Sequence, residues 1–346
     1  MSNAVEDVLA TYADVVNNGV VRSGGPRYKS YAVSNLRGGV GKSTLTFNLA
    51  YQISRMHSLL VADLCPQGNL TETLMRDVTP DVTVAKALLP LLLGPAFGES
   101  LEDISYRVSN HCEEFKGGKA CYFVPGDSEM FAFPSTMYQQ LQQALGRGDQ
   151  RAVQRLLLTL RDLLRKEAND KKCEYMLIDT SPFYAGGTHL AWCASDAVII
   201  PVRVDEHSIE SLDLTLEMLS DTAKDFGAWN QRGGGLKAPK VAAIAMTMAG
   251  AKSRLSSTPG RASQMYIERA IRIAENYPSL FEHDKLTDAF VVTDDFVSSG
   301  QVSGAKSIPI AKLRVGSFHT VDSKRLQVNE SATRYKKELS YLASII

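Results

Sequence analysis

The sequence lacks an excess of either charge: 38 Lys and Arg face 38 Asp and Glu, and the formal net charge is zero. This excludes a polybasic nucleic-acid tail and an acidic solvating tail, although a local basic patch can sit inside a neutral chain. No apolar run approaches the roughly 18 residues of a membrane span. The longest, at 87–94, is interrupted by Pro90. Near the N-terminus, Glu6, Asp7 and Asp14 stand where a signal peptide would carry basic and then apolar residues. Cysteines are few and odd in number (Cys65, Cys112, Cys121, Cys173, Cys193), with no pair at metal-ligand spacing, which argues against a zinc or disulfide framework. Ser181 precedes Pro182 and lacks the flanking glycines of a nucleophile elbow, so a serine hydrolase is excluded. There is neither an internal repeat nor a low-complexity segment.

What remains is a globular composition, 44% hydrophobic, over 346 residues. Val5, Leu9, Tyr12, Val15 and Val16 recur at helical spacing before the break at Ser23-Gly24-Gly25-Pro26, so residues 1–27 are expected to form a helix and linker ahead of the main fold. From residue 28 to 346 short apolar segments alternate with longer amphipathic ones. Strands are expected at 31–36, 58–62, 120–124, 175–178, 197–201, 241–247 and 289–292. Helices are expected at 42–55, 136–146, 149–169, 208–226 and 263–277, and a flexible connector at 229–237. The alternation predicts an α/β fold: a doubly wound, mostly parallel sheet with helices on both faces.

One stretch carries specific chemistry. A strand runs into Arg37-Gly38-Gly39-Val40-Gly41-Lys42-Ser43-Thr44, and a helix follows. Glycines let successive backbone N–H groups curl around phosphate oxygens, and the helix N-terminus adds positive potential. Lys42 supplies a charge to the β- and γ-phosphates of ATP, and the Ser43 hydroxyl is placed to ligate Mg²⁺. Two further apolar strands end in aspartate, at Asp63 and Asp179, and Asp179 is expected to serve the metal.

These residues resemble the deviant Walker A motif of the ParA/MinD ATPases, KGGVGK[ST]T. The segment Pro66-Gln67-Gly68-Asn69-Leu70-Thr71 resembles the DPQGN-x-T signature of the ParA/Soj branch. Val124-Pro125-Gly126 and the run from Ala194 to Val202, with Glu206 and the stretch from Ser208 to Leu212 after it, fit the same pattern. The resemblance is dense to about residue 219 and thin beyond 249. It implies a P-loop NTPase fold of the SIMIBI type, with residues 37–44 binding ATP and with Arg37, Lys42 and Asp63 serving catalysis. It also implies an ATP-bound homodimer, a ParB-like or cargo adaptor partner, non-specific DNA binding, and a cytoplasmic, nucleoid-associated location.

Two positions depart from the pattern. The signature lysine that crosses the dimer interface falls at Arg37, which keeps the charge and adds a bidentate fork. The aspartate that positions the attacking water falls at Cys65, and a thiol is a poor proton acceptor at neutral pH. The resemblance therefore implies slow hydrolysis with intact ATP binding, with Asp63 the residue that could take over. Lys252, Arg254, Arg269, Arg272 and Lys306 are the candidate DNA contacts, although the acidic Asp294-Asp295 lies where relatives carry arginine. A second reading is a nucleotide-binding scaffold or filament former that barely hydrolyses ATP. A third is a MinD-like membrane switch using the amphipathic C-terminal segment, against which Glu338 and its short length argue. Residues 308–328 carry no assigned function.

Overall fold

Runs of Val, Ile, Leu and Ala with no polar alternation form strands only where both faces of the sheet are covered. The computed structural model describes residues 3–22, 26–76, 78–250 and 258–346, and it has that architecture. The strands are β1 (Ser30–Val33), β2 (Leu59–Asp63), β3 (Tyr106–Arg107), β4 (Cys121–Val124), β5 (Tyr175–Asp179), β6 (Ala197–Arg203), β7 (Lys240–Thr247) and β8 (Phe290–Val292). They lie in the order β3-β4-β2-β5-β1-β6-β7-β8. All neighbours are parallel except β3, which pairs antiparallel with β4 at the edge. A separate hairpin joins β9 (Phe318–Val321) to β10 (Lys324–Gln327).

The helices are α1 (Asn3–Asn18), α2 (Lys42–Ser54), α3 (Asn69–Met75), α4 (Val84–Leu93), α5 (Phe133–Gly146) and α6 (Gln150–Asp170). There follow α7 (Gly186–Ala194), α8 (Glu206–Ser220), α9 (Asp225–Arg232), α10 (Arg261–Glu275), α11 (Val297–Lys306) and α12 (Ala332–Ile345). One sheet face packs against α4 to α10 through residues such as Leu60, Ile178 and Ile200. The opposite face packs against α2, α3, α11 and α12 through Val33, Val61 and Ile199.

Several expectations are revised. The helix expected at 208–226 stops at Ser220, because Asp221 turns the chain to an extended conformation, and α9 begins at Asp225. Consequently the connector expected at 229–237 is helical as far as Arg232. Phe226 and Trp229, one turn apart, are buried in the core, and Arg232 covers the Trp229 ring. The N-terminal helix is no appendage either: Val5, Val8, Tyr12 and Val15 are buried, and α1 packs on α10 and α12. Finally, the apolar face of α12 that a membrane contact would need is occupied, with Tyr335, Leu339 and Leu342 buried against the body of the fold. No helix among the described residues is long and apolar enough to cross a membrane.

A buried polar cluster clasps α1 to α12. Tyr12 donates to Glu338 Oε1 at 2.9 Å, and the Asp294 N–H donates to Glu338 Oε2 at 3.0 Å. Arg334 pairs with Asp294 and lies 3.6 Å from Glu338. Burial pushes the Glu338 carboxyl up to about 7 from its ordinary 4.5, against the opposing pull of Tyr12 and Arg334. The folded chain thus holds a proton that the unfolded chain releases above pH 4.5. This group's contribution to stability is therefore greatest in acid, declines between pH 4.5 and 7, and is flat above. Glu338→Gln is expected to remove that slope, so melting temperatures of variant and parent followed from pH 5 to 7.5 should diverge as pH rises, with the variant higher at neutral pH. Parallel curves would show that Glu338 is ionised throughout.

Candidate nucleotide site

The parallel register brings three strand ends together. Val33 of β1 lies beside Asp179 of β5, and Asp179 lies beside Asp63 of β2. The chain leaving β1 turns through Gly39 (φ 74°) and Gly41 (φ 87°), conformations that side-chain-bearing residues resist, and enters α2 at Lys42. Among the described residues, the N–H groups of Gly38, Gly39 and Gly41 donate to no acceptor. A row of unspent donors at a helix N-terminus is the receptor an anion requires.

Lys42 is 7% exposed, and its ammonium folds back onto the loop, donating to Arg37 O at 2.7 Å and Asn35 O at 3.1 Å. Burial pulls it down to about 8, partly offset by Asp179. Ser43 donates to one oxygen of Asp179 at 2.6 Å and Thr46 to the other at 3.0 Å. Burial first, and the neighbouring Asp63 second, raise the Asp179 carboxyl above the usual range. A hydroxyl and a strand-end carboxylate in contact fit Mg²⁺, which takes one or two protein ligands and completes its shell with phosphates and water. The residues present therefore suit Mg²⁺-ATP. The cleft over the loop measures about 660 Å³ and reaches from Gly38 past Cys65 and α3 to the end of α11. A smaller cleft lies beside Val40 and Thr44 and is bordered by Thr247, Phe296 and Gln301.

Asp63 has a different setting from the catalytic one expected of it. It is wholly buried, and its oxygens accept from the Cys65 N–H at 2.9 Å, the Thr71 N–H at 3.0 Å and the Thr71 hydroxyl at 2.8 Å. Thr71 in turn accepts from the Gly126 N–H at 2.8 Å. Gly126 approaches so closely that a Cβ there would stand 2.6 Å from the Asp63 carbonyl oxygen. With its acceptors committed, Asp63 anchors the loop after β2, and it does not line the cleft. Cys65 does line it, is 3% exposed, and is pushed up to about 11 by burial, so it is a neutral thiol at physiological pH.

Arg37, expected to reach toward a second subunit, is half-buried and pairs with Asp205 Oδ1 at 2.7 Å, while Arg203 holds the other oxygen at 3.3 Å. Thr46, Thr71 and Asp205 escaped the sequence reading. Thr71 alone carried a signal, as the last residue of the Pro66–Thr71 segment. Of the expected DNA contacts, three fall among the described residues, at separate places. Arg269 is engaged by Glu206, and Arg272 by Glu268 at 2.7 Å. Lys306 lines the nucleotide cleft, and Lys252 and Arg254 lie outside the described residues.

A parallel sheet with a glycine-rich loop at its central strand, a loop lysine, a helix-opening serine and a strand-end aspartate defines a P-loop nucleotide-binding protein. Comparison with known proteins narrows the class. A family model described as an AAA domain matches residues 28–231. The chromosome-partitioning ATPase Soj of Thermus thermophilus is 27% identical over 196 residues, covering 56% of this chain and 63% of Soj. The maintenance of carboxysome distribution protein A of Gloeothece citriformis is 25% identical over 196 residues, covering 57% of this chain and 65% of the relative. The chain thus spans less than two thirds of the length of the curated relatives it matches. Among solved structures, the ATP complex of a variant of Cyanothece McdA superposes with a TM-score of 0.62 at 18% identity, over 92% of this chain and 96% of McdA, a likeness of fold. The chain belongs to this AAA domain family, among the ATPases of the ParA/Soj type.

Proposed function

We propose that this chain is an ATP-dependent switch that pairs with a second copy of itself when Mg²⁺-ATP is bound. The dimer then binds DNA without sequence preference, and slow hydrolysis reverses the pairing. The observation that carries this reading is the loop of unspent N–H groups with Lys42, Ser43 and Asp179 converging on it. Arg37 is the residue proposed to contact the nucleotide of the second copy, and it must first leave Asp205, so ATP-driven pairing competes with an existing ion pair. Relatives named for chromosome partitioning and carboxysome distribution make positioning of DNA or another large cargo, through a ParB-like adaptor in the cytoplasm, the natural use.

The test is molar mass by light scattering with ATP, ADP and no nucleotide, each with Mg²⁺. The expected result is a doubling of mass with ATP alone, lost in Lys42→Ala together with at least a tenfold loss of ATP affinity. A mass indifferent to ATP would refute the switch. The neutral Cys65 thiol favours a second reading, a nucleotide-binding scaffold with negligible turnover. Phosphate release indistinguishable between the parent and Lys42→Ala, with ATP-dependent pairing retained in the parent, would select it.

A further inference from the structure

Between α11 and α12 the chain builds the β9–β10 hairpin, which the nucleotide chemistry does not use. Its turn, Asp322-Ser323, has φ of 47° and 62°, the doubly left-handed geometry that closes a tight, right-twisted two-stranded ribbon. Arg325 stands opposite Thr320 and Gln327 opposite Phe318, so these four side chains share a face, and all four are exposed. His319, Val321 and Leu326 point the other way and are half-buried.

The hairpin and the segment leading into it are charged in one sense, with Arg325 on the outward face and Lys324 beside the turn on the other. Lys312, Arg314, Lys324 and Arg325 accompany a single carboxylate, Asp322, between residues 312 and 325. All four cations are exposed, and among the described residues none has a carboxylate at ion-pair distance. Arg269 and Arg272, by contrast, are already neutralised. The Arg325 guanidinium lies 4.1 Å from the centre of the Phe318 ring, which holds both side chains outward as a flat stacking unit.

We infer that the β9–β10 hairpin is the duplex-DNA contact of this chain, coupled to the nucleotide site through α11. The inference rests on the DNA-binding reading above and says which surface performs it. Unpaired cations on long side chains neutralise phosphates, and a two-stranded ribbon fits the width of a major groove. Thr320, Gln327 and Arg325 are groups that hydrogen-bond base edges or phosphates. An acidic protein partner would need an apolar interface core, and this face offers one aromatic ring. The coupling path is direct. Gly300 and Gln301 of α11 border the smaller cleft, Ser303 to Ser307 border the larger one, and Ser298 donates to Gln327 O at 3.0 Å beneath the hairpin. A nucleotide in either cleft touches the helix on which the hairpin rests.

The experiment measures fluorescence anisotropy of a labelled random-sequence duplex of about 60 base pairs with the full chain, in ATP and in ADP, across a salt series. Lys324→Ala/Arg325→Ala, and separately Lys312→Ala/Arg314→Ala, are expected to weaken ATP-dependent binding by roughly tenfold or more at about 0.1 M salt and to reduce the salt slope by about two. Arg269→Ala/Arg272→Ala should stay within about twofold. Circular dichroism and ATP binding confirm that each variant is folded. If the parent binds duplex and both hairpin variants bind equally well, the hairpin assignment is wrong while DNA binding stands. If the parent binds no duplex in any nucleotide state, the DNA reading fails and takes the inference with it. Equal binding in ATP and ADP would overturn the coupling through α11. Tighter capture of polyglutamate than of duplex, lost in the same variants, would assign the hairpin to an acidic protein and overturn the inference.

Discussion

Cys65→Asp is expected to raise steady-state ATP hydrolysis by roughly ten- to a hundredfold, with ATP affinity unchanged within about threefold. In the ParA/MinD pattern this position is an aspartate. Here the side chain lines the cleft, yet burial holds it as a neutral thiol that can neither accept a proton from water nor orient one by charge. Phosphoryl transfer depends chiefly on positioning and electrostatics, so on the proposed function Lys42, Ser43 and Asp179 would sustain a basal rate that a well-placed carboxylate could lift. From its present setting Asp63 would not supply that carboxylate, because the loop itself occupies its oxygens. A new carboxylate would lie near Asp63 and Asp179 and be disfavoured in the free protein, so the gain should be largest with Mg²⁺ saturating. Cys65→Asn supplies polarity without a base and should show no gain. Single-turnover phosphate release separates the chemical step from product loss. An unchanged rate in a folded, ATP-binding Cys65→Asp chain would mean that the water is positioned by other groups.

Arg334→Met should cost about 3–5 kcal/mol of folding stability, the penalty for removing one partner of a buried ion pair and leaving its charges uncompensated. Arg334 is the cation between Asp294 and Glu338, and its side chain is 10% exposed against 9% and 0% for theirs. For a domain whose total stability is roughly 5–15 kcal/mol, that is a large share. Urea unfolding should show a lower midpoint at an unchanged slope. Adding Asp294→Asn removes the carboxylate that Arg334 pairs with and should restore part of the loss. If Arg334→Met shifts the midpoint by less than about 1 kcal/mol, the cluster is wetter than its burial indicates.

The sheet, its covering helices and the phosphate loop could be read from the sequence because their causes are local. Apolar runs between amphipathic helices report two-sided burial, and glycines at 38, 39 and 41 followed by Lys42-Ser43 report an anion cradle without knowledge of anything distant. Features that depend on remote partners were not legible. Arg37 and Asp205 lie 168 positions apart, and Arg269 and Glu206 lie 63 apart, so the sequence displays charges and conceals their neutralisation. The same blindness made Arg269 and Arg272 look available and left residues 308–328 unassigned. A chemical motif can be visible while its state is not: Cys65 could be placed by register, but its burial and raised pKa required the packed loop. The break between α8 and α9 is not legible because Phe226 continues the apolar spacing of Leu212, Leu216 and Leu219 across the turn at Asp221, where Gly227 packs closely.

The clasp between α1 and α12 also bears on how the chain comes to be folded. Tyr12 and Glu338 are separated by 326 positions, so the first of these helices leaves the ribosome long before its docking partner exists. Until then Val5, Val8 and Tyr12 have only part of their burial site, and the central sheet must assemble while one helix waits at its margin. Such non-local closure is the slow part of folding and the period of greatest exposure to misassembly. A chain stalled or truncated before residue 338 would therefore carry a formed phosphate loop on an unsealed core, vulnerable to proteolysis at α1.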